Sequence, residues 1–270
     1  MSKIDGQVAL VTGAGRGIGR GIARTLAAHG AAVALAARTA SQLDDLAEEI
    51  RSAGGTALVL PLDVTDRAAV EAGAARVAAE LGPITFLVNN AGVDKPWGPI
   101  GAADPDEWWH AQNVHVRGAL LFMHAVLPQM QAAGRGRIVN MASAAAQIVG
   151  PNTSAYCVAK ATLVRLTEHV DAEQKGSGIR AFTGHPGTLA TEMLNDTLAD
   201  ADAARYAPHL IDFLQKFREI DTTNEEARLA MQMVAIAAGD HDDAAGRYID
   251  FEQEFRPAGF GPPPELTSAV

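Results

Sequence analysis

Short apolar runs alternate with longer amphipathic stretches along most of this chain. The apolar runs predict strands over residues 7–13, 32–37, 56–63, 85–89, 137–141, 179–183 and 248–251. The intervening stretches predict helices over residues 18–29, 41–53, 67–81, 105–132, 154–174 and 224–238. Strands that are apolar on both faces and joined by helices form a parallel sheet covered on both sides. The pattern therefore predicts a doubly wound α/β fold of Rossmann type, with about seven strands in three layers and right-handed crossovers.

A single domain is expected over residues 1–256, because no repeat, linker or block of charge divides this part of the chain. Residues 196–219 lack a clear periodicity and are expected to be irregular. The segment around residues 192–220 is a candidate substrate lid, since long connections of this kind are often functional. Residues 257–270 contain Gly-Pro-Pro-Pro and are expected to form an extended tail.

Charge and composition exclude several classes of protein. The chain carries 22 Lys and Arg against 32 Asp and Glu, a net charge of −10, which argues against nucleic-acid and anionic-membrane partners. Its longest apolar run, residues 31–37, is far shorter than the roughly 20 residues that span a bilayer. The first residues lack the apolar stretch of a signal peptide, so a cytoplasmic location is expected. One cysteine, Cys157, and histidines without metal-ligand spacing predict neither disulfide nor metal site.

A glycine-rich turn follows the first predicted strand. Residues 12–19 read Thr-Gly-Ala-Gly-Arg-Gly-Ile-Gly, with Gly13, Gly17 and Gly19 in a G-x-x-x-G-x-G spacing. Glycines permit a tight turn and let a pyrophosphate approach the N–H groups at the start of the next helix. The same residues are compatible with a merely tight turn, but their place in the first βαβ unit favours dinucleotide binding.

The end of the second predicted strand indicates which dinucleotide binds. An acidic residue roughly 20 positions after the glycines would hold a ribose 2′-hydroxyl, but this strand ends in Ala37-Arg38. Arg38 is available for a 2′-phosphate, and Arg16 in the glycine turn is able to reach the same group from the other side. NADP(H) is therefore favoured, with NAD(H) as the alternative. Each arginine is also compatible with an ordinary solvent-exposed cation.

Further motifs follow in a fixed order, each at a predicted strand end or helix start. They are Asp63-Val64, Asn89-Asn90-Ala91-Gly92, Ser143, Tyr156-Cys157-Val158-Ala159-Lys160, and Pro186-Gly187 followed by Thr191. Together with the glycine turn, this series resembles the short-chain dehydrogenase/reductase family over nearly the whole chain. The resemblance implies that cofactor is held by Gly13, Arg16, Gly17, Ile18, Gly19, Arg38, Asp63, Val64, Asn90, Ala91, Gly92, Tyr156, Lys160, Pro186, Gly187 and Thr191.

The residues around Tyr156 suggest how a proton is exchanged. Tyr156 and Lys160 are four positions apart on a predicted helix, so they share a face. A lysine ammonium favours the phenolate and is expected to lower the tyrosine pKa from about 10. The resemblance implies that Tyr156 is the acid/base, that Lys160 modulates it and contacts a ribose, and that Ser143 hydrogen-bonds the substrate oxygen. Hydride passes directly between nicotinamide and substrate, so no metal is required.

One position departs from the family pattern. The family places an asparagine in Val-Asn-x-x-Gly, where it helps to hold a water that links the lysine to solvent, whereas this chain has Val114-His115-Val116-Arg117-Gly118. His115 is able to serve in the same relay, with a charge that changes near neutral pH. The alternative is that His115 is a packing residue.

The combined pattern predicts an NADP(H)-dependent carbonyl reductase or secondary-alcohol dehydrogenase acting on a small ketone or alcohol. The alternatives are an NAD(H)-preferring dehydrogenase of the same fold and a non-catalytic dinucleotide-binding regulatory protein. Acidic residues in the lid segment disfavour phosphate-bearing substrates. Two interpretations are open for Asp94, Lys95 and Trp97, which either line the substrate cleft or form a surface loop. The resemblance implies a homo-oligomer, a tetramer or dimer, built through the helices at residues 105–132 and 154–174.

Overall fold

The computed structural model describes residues 3–218, 220–251 and 256–257. Within them, eight strands form one sheet in the order β3-β2-β1-β4-β5-β6-β7-β8, in which only the last pairing is antiparallel. The strands are β1 (Val8–Thr12), β2 (Ala32–Ala37), β3 (Thr56–Pro61), β4 (Phe86–Asn89), β5 (Gly136–Met141), β6 (Ile179–His185), β7 (Tyr248–Asp250) and β8 (Arg256–Pro257). The seven-stranded parallel sheet confirms the prediction, and β8 adds a two-residue edge.

Helices connect these strands and cover both faces of the sheet. They are α1 (Gly17–Ala28), α2 (Ala40–Ser52), α3 (Arg67–Glu80), α4 (Pro105–Gln112), α5 (Gly118–Ala133), α6 (Ser154–Glu173), α7 (Glu192–Leu198), α8 (Ala201–Tyr206), α9 (Pro208–Arg218) and α10 (Thr223–Ala238). One apolar core packs α1, α2 and α10 against the sheet, and a second core packs α3, α5 and α6 against the other face. The predicted three-layer Rossmann architecture is confirmed.

The central strand β1 shows why this sequence forms a doubly covered sheet. All five of its residues are buried. Ala9 and Val11 belong to the core that includes α1, whereas Val8 and Leu10 belong to the core that includes α3. Because successive side chains of a strand point to opposite faces, an uninterrupted apolar run supplies both cores at once.

The long helix predicted over residues 105–132 is divided in the structure. A π-helical turn, Asn113–Arg117, separates α4 from α5 and contains the buried side chain of His115. Such turns are rare and are concentrated at functional sites. The periodicity of the sequence did not reveal this turn, because one widened turn barely disturbs a helical pattern of apolar residues.

The prediction that residues 196–219 are irregular was wrong, since three short helices occupy most of this segment. Thr191 caps α7 by accepting a hydrogen bond from the Leu194 N–H, and Asp200 caps α8 in the same way. Helices α7 and α8, with seven and six residues, contain too few positions for a periodic signal, so their capping residues were the available clue. Helix α9, with eleven residues, was long enough for such a signal and was missed. The predicted tail, 257–270, lies outside the described residues except for Pro257.

No helix among the described residues combines the length and the apolar character needed to cross a membrane. The same part of the chain contains no group of three or more His, Cys, Asp or Glu side chains placed to hold a metal ion.

Candidate active site

The strand order reverses between β1 and β4, and a cavity opens where their carboxyl ends diverge. Ligands of open α/β sheets bind at such a switch point. Among the residues predicted for the site, the cavity is lined by Gly13, Arg16, Gly17, Ile18, Arg38, Asp63, Val64, Asn90, Ala91, Gly92, His115, Tyr156, Lys160, Pro186 and Thr191. The fold therefore gathers residues between positions 13 and 193 into one crevice.

Three predicted residues do not line the cavity. Gly19 lies behind the glycine turn, where a Cβ atom would stand 2.3 Å from the carbonyl oxygen of Gly13. Its role is to let α1 pack closely against the turn, as the third glycine of a dinucleotide fingerprint does. Gly187 lies in the loop after β6. Ser143 follows β5 and is oriented toward Tyr156 instead of toward the glycine turn.

The glycine turn presents backbone N–H groups to the cavity. Gly13 and Gly17 have φ angles of 66° and 53°, a conformation that other residues rarely adopt. The residue before α1, Arg16, makes no side-chain cap bond, and the first turn of α1 contains no acid. The N–H groups and the positive end of the helix dipole are therefore suited to an anion.

The opposite end of the crevice carries charge suited to an adenosine phosphate. Arg38 is exposed at the end of β2, and Thr39 makes no side-chain cap bond to α2. Asp63 accepts hydrogen bonds from the Thr65 N–H at 2.8 Å and the Thr65 hydroxyl at 2.7 Å. Burial raises the pKa of Asp63, but these bonds and the charge of Arg38 lower that pKa overall. Asp63 is therefore an ionised acceptor.

Arg16 has a partner that the sequence did not suggest. Its Nη1 lies 2.8 Å from Oδ2 of Asp196 in α7, and both side chains are about half exposed. A carboxylate oxygen of Glu192, in the first turn of α7, would be 3.3 Å from a Cβ atom at Gly17. Helix α7 thus brings two acids to the glycine turn, and one of them pairs with the arginine predicted to meet a phosphate.

Tyr156 and Lys160 line the inner end of the crevice, and Ser143 contacts Tyr156 there. Ser143 hydrogen-bonds to Tyr156, and its Oγ also accepts a bond from the Ala145 N–H. Lys160 Nζ lies 5.4 Å from the centroid of the Tyr156 ring and donates a 2.7 Å hydrogen bond to the carbonyl oxygen of Met141. The end of β5 and the first turns of α6 therefore bring a hydroxyl, a phenol and an amine close together.

The protonation states of this group differ from the expectation based on spacing. Burial raises the pKa of Tyr156 to about 12, and the charge of Asp94 adds to that shift, although the bond with Ser143 opposes it. Burial lowers the pKa of Lys160 to about 7. The expectation that Lys160 lowers the tyrosine pKa was wrong for this structure, because desolvation outweighs a lysine that is itself partly neutral. Tyr156 is a protonated acid at neutral pH.

His115 is held by the backbone that follows the Asn-Asn-Ala-Gly segment. Its Nε2 lies 2.7 Å from the carbonyl oxygen and 3.1 Å from the nitrogen of Val93. A Cβ atom at Gly92 would be 2.5 Å from the imidazole Cε1, so this ring requires glycine there. Burial and the charge of Lys160 lower the pKa of His115 to about 3, against the opposing effect of the Val93 bond. The predicted charge change near neutral pH was therefore wrong.

Several residues of the crevice were missed by the sequence analysis. Gly15, Thr39 and Gln42 line it near the glycine turn and the start of α2. They were predictable in principle, because ligands of open α/β sheets bind at the carboxyl ends of the strands and these residues follow β1 and β2. Glu192 and Met193 also line it, but they come from the lid segment and gave no sequence signal.

The loop after Gly92 packs against the lid helices. The hydroxyl of Thr197 donates a 2.6 Å hydrogen bond to Asp94, and Lys95 forms an ion pair with Asp200. Trp97 is buried with Ala203 and residues of α9. These residues form a loop in which Lys95 is exposed and Trp97 is buried, and none of the three lines the cavity described above. Asp94 is close enough for its charge to raise the pKa of Tyr156.

A glycine turn at the switch point and a Ser-Tyr-Lys group in the same crevice define a class of dinucleotide-dependent dehydrogenases. Residues 7–202 match the family model described as short chain dehydrogenase. This match covers more than half of the chain, which therefore belongs to the short-chain dehydrogenase/reductase family. It is an NAD(P)-dependent oxidoreductase that acts on CH–OH groups.

Known relatives extend the similarity to most of the chain. A cis-4-hydroxycyclohexanecarboxylate dehydrogenase of Sinomonas cyclohexanicum is 37% identical over 214 residues, which cover 79% of this chain and 86% of that protein. A gluconate 5-dehydrogenase from Burkholderia cenocepacia, crystallised with NADP and tartrate, is 30% identical with a TM-score of 0.78, covering 91% and 93% of the two chains. An NAD⁺-bound xylitol dehydrogenase is 28% identical with a TM-score of 0.80, covering 92% and 98%.

Proposed function

We propose that this enzyme transfers hydride between NADP(H) and a small ketone or secondary alcohol, with Tyr156 as the acid/base. The observation that carries the proposal is the shared crevice. Tyr156, which interacts with Ser143, and Lys160 line its inner end, and the glycine turn and Arg38 line its outer end. A dinucleotide extended along this crevice would place its nicotinamide beside the phenol.

The residues of the crevice fit NADP. The glycine turn and the start of α1 would hold the pyrophosphate, because the first N–H groups of α1 have no side-chain cap and the turn leaves them facing the cavity. Arg38 and Thr39 would hold the 2′-phosphate, Asp63 the adenine, and Thr191 the nicotinamide carboxamide. When bound, the nicotinamide supplies or accepts the hydride. The absence of an acid at the end of β2 favours NADP over NAD, although similar enzymes were solved with each.

Proton transfer follows from the raised pKa of Tyr156. Its protonated phenol donates to the oxygen of a carbonyl substrate, while the Ser143 hydroxyl orients that oxygen by a second hydrogen bond. The ammonium form of Lys160, 5.4 Å from the ring centroid, would offset part of the cost of burying the phenolate that remains. In the direction of alcohol oxidation, the phenolate takes the proton from the substrate hydroxyl.

A panel of ketones with NADPH, and of secondary alcohols with NADP⁺, tests this function. Tyr156→Phe is expected to lower kcat by about 10²–10⁴-fold, the usual contribution of an acid/base group, while NADPH binding measured by fluorescence stays near wild type. Ser143→Ala is also expected to lower kcat. Undiminished turnover by Tyr156→Phe contradicts the proposal, and so does tight NADPH binding without turnover of any substrate.

Helices α7, α8 and α9 form the proposed substrate lid. The contacts of Arg16 with Asp196 and of Thr197 with Asp94 support this role, because they join α7 to the glycine turn and to the loop beside Tyr156. Asp196→Asn is expected to raise the rate of hydrogen exchange in α7 of the cofactor-free enzyme. Unchanged exchange in α7 contradicts a lid held by this ion pair.

A tetramer or dimer is proposed to form through α4, α5 and α6. Exposed apolar side chains on two of these helices, Leu120 at 49% and Val158 at 44%, support an interface there. Light scattering is expected to give a multiple of the single-chain mass, and joint Leu120→Asp and Val158→Asp changes should reduce it. Ile100→Asp, an equally polar change at an exposed loop residue, is the control. A wild-type mass equal to one chain contradicts the proposal.

A further inference from the structure

A second, much smaller cavity lies beneath the active site, where β4 meets the π-helical turn and α5. Asn89, His115, Ala119 and Phe122 are among its lining residues. About 10 Å³ of this cavity is open to the centre of a water molecule, which is the size of a site for one water.

Two polar atoms on the residues that line this cavity are unsatisfied. Oδ1 of Asn89 and Nδ1 of His115 are both buried and have no hydrogen-bond partner among the described residues. Their side chains are among the most buried polar groups of the protein, with residue exposures of 6% and 2%. Native proteins rarely leave such atoms unpaired, because the loss of hydration is not compensated.

The amide orientation of Asn89 is set by a chain of hydrogen bonds behind the sheet. Asn89 Nδ2 donates to Asn140 Oδ1 at 2.8 Å, and Asn140 Nδ2 donates to the Thr167 hydroxyl at 2.9 Å. The Thr167 hydroxyl in turn donates to the carbonyl oxygen of Leu163 at 2.7 Å. This chain of hydrogen bonds fixes the amide so that Asn89 Oδ1 is an acceptor, and no described group donates a hydrogen bond to it.

The tautomer of His115 is set by Val93. A 2.7 Å contact between Nε2 and a carbonyl oxygen requires a hydrogen between the two atoms. The Val93 N–H also points at Nε2, at 3.1 Å, but the contact with the carbonyl oxygen is shorter and would be repulsive without a hydrogen. We therefore place the proton of neutral His115 on Nε2, which leaves Nδ1 as an acceptor. Two buried acceptors with no donor consequently belong to side chains around one small cavity.

We propose that this cavity binds one ordered water molecule, which donates one hydrogen to Asn89 Oδ1 and the other to His115 Nδ1. Water is the ligand that matches, since it offers two donor hydrogens in the volume available. The water and Asn89 are positioning groups. They keep the His115 proton on Nε2, which holds Val93 beside the crevice and the imidazole against the Tyr156 ring. Only the consequence for turnover rests on the proposed function.

Crystallography and NMR of the unmodified enzyme test this inference without any assumption about substrate. A high-resolution structure of the NADP complex is expected to show a water within hydrogen-bond distance of both atoms. Long-range ¹H–¹⁵N correlation of histidine-labelled protein is expected to show His115 as a single neutral tautomer with a bare Nδ1. The signal is assigned by its loss in His115→Asn. An absent water, or a protonated Nδ1, overturns the inference even if the enzyme reduces ketones.

Substitutions at Ala119 separate positioning from ordinary packing. Ala119→Val adds two methyl groups to a residue that lines the cavity, so it is expected to exclude the water, broaden or double the His115 signal and lower kcat by about tenfold. The NADPH dissociation constant should stay near wild type. Ala119→Ser adds a smaller group than valine and supplies one donor hydrogen itself, so it should keep the single His115 signal. Ala132→Val, an exposed change on the same helix, controls for the effect of valine in α5. A His115 signal that is identical in Ala119→Val and wild type overturns the inference.

Discussion

The imidazole of His115 lies edge-on to the phenol ring of Tyr156, with ring centroids 5.5 Å apart and an interplanar angle of 82°. The contact is between a neutral histidine and the proposed acid/base residue. Of the two imidazole nitrogens, only Nε2 has a hydrogen-bond partner among the described residues, and that partner is Val93. The family position usually held by asparagine is thus filled by a ring that packs against the phenol.

The burial of His115 predicts a pH-dependent stability. Its folded-state pKa of about 3 lies below the ordinary histidine value of 6.5, so between these values the unfolded chain binds more protons and stability rises with pH. The contribution reaches at most about 1.4 kcal/mol per pH unit. Urea unfolding at several pH values in this window is expected to show a steeper loss on acidification for wild type than for His115→Gln. Parallel curves for the two proteins contradict this account.

The raised pKa of Tyr156 predicts opposite pH trends for the two directions of reaction. Ketone reduction uses the protonated phenol and is expected to be level near neutral pH, whereas alcohol oxidation uses the phenolate and should rise with pH. Asp94→Asn removes a charge that raises this pKa, so the rise should begin at lower pH. Asp202→Asn, an exposed acid of the lid helices, is the control. Profiles of kcat/KM that coincide for all three proteins contradict the prediction.

Arg38 is predicted to determine the preference for NADPH. Arg38→Asp removes a charge-assisted contact and adds repulsion, so KM for NADPH should rise by about tenfold or more relative to KM for NADH. Arg16→Ala should have a smaller effect, because Arg16 is paired with Asp196 in the structure. Steady-state kinetics with both cofactors measure the ratio. An equal change in both Michaelis constants argues against this role of Arg38.

Two glycines of α1 are predicted to respond differently to alanine. Gly19→Ala places a Cβ atom 2.3 Å from the Gly13 oxygen, so it should destabilise the fold by about 1–3 kcal/mol and weaken NADPH binding. A Cβ atom added at Gly21 would meet no neighbouring atom within 4 Å, and Gly21→Ala should stabilise the helix by about 0.5–1 kcal/mol. Chemical unfolding and NADPH titration compare the two variants. Equal stability and affinity would show that close packing at Gly19 is unimportant.

The strands and the main helices were predictable because each one buries its own apolar pattern. The five buried residues of β1 and the start of α1 after the glycine turn lie within a residue or so of their predicted places. The lid helices were not predictable in this way, since α7 and α8 have seven and six residues. Their stability comes from caps and from packing on Trp97, which a local pattern does not report.

Local sequence patterns were enough to predict the sheet, the phosphate-binding turn and many of the residues that line the crevice, because strand periodicity and glycine conformation are local properties. The charge and pairing of those residues followed from the packing of distant segments. The pKa values of Tyr156, Lys160 and His115 depend on how completely each is removed from water. The pairing of Arg16 with Asp196 joins residues that are far apart in the chain. Desolvation and long-range contact depend on the packing of the whole chain, so residue spacing does not determine them.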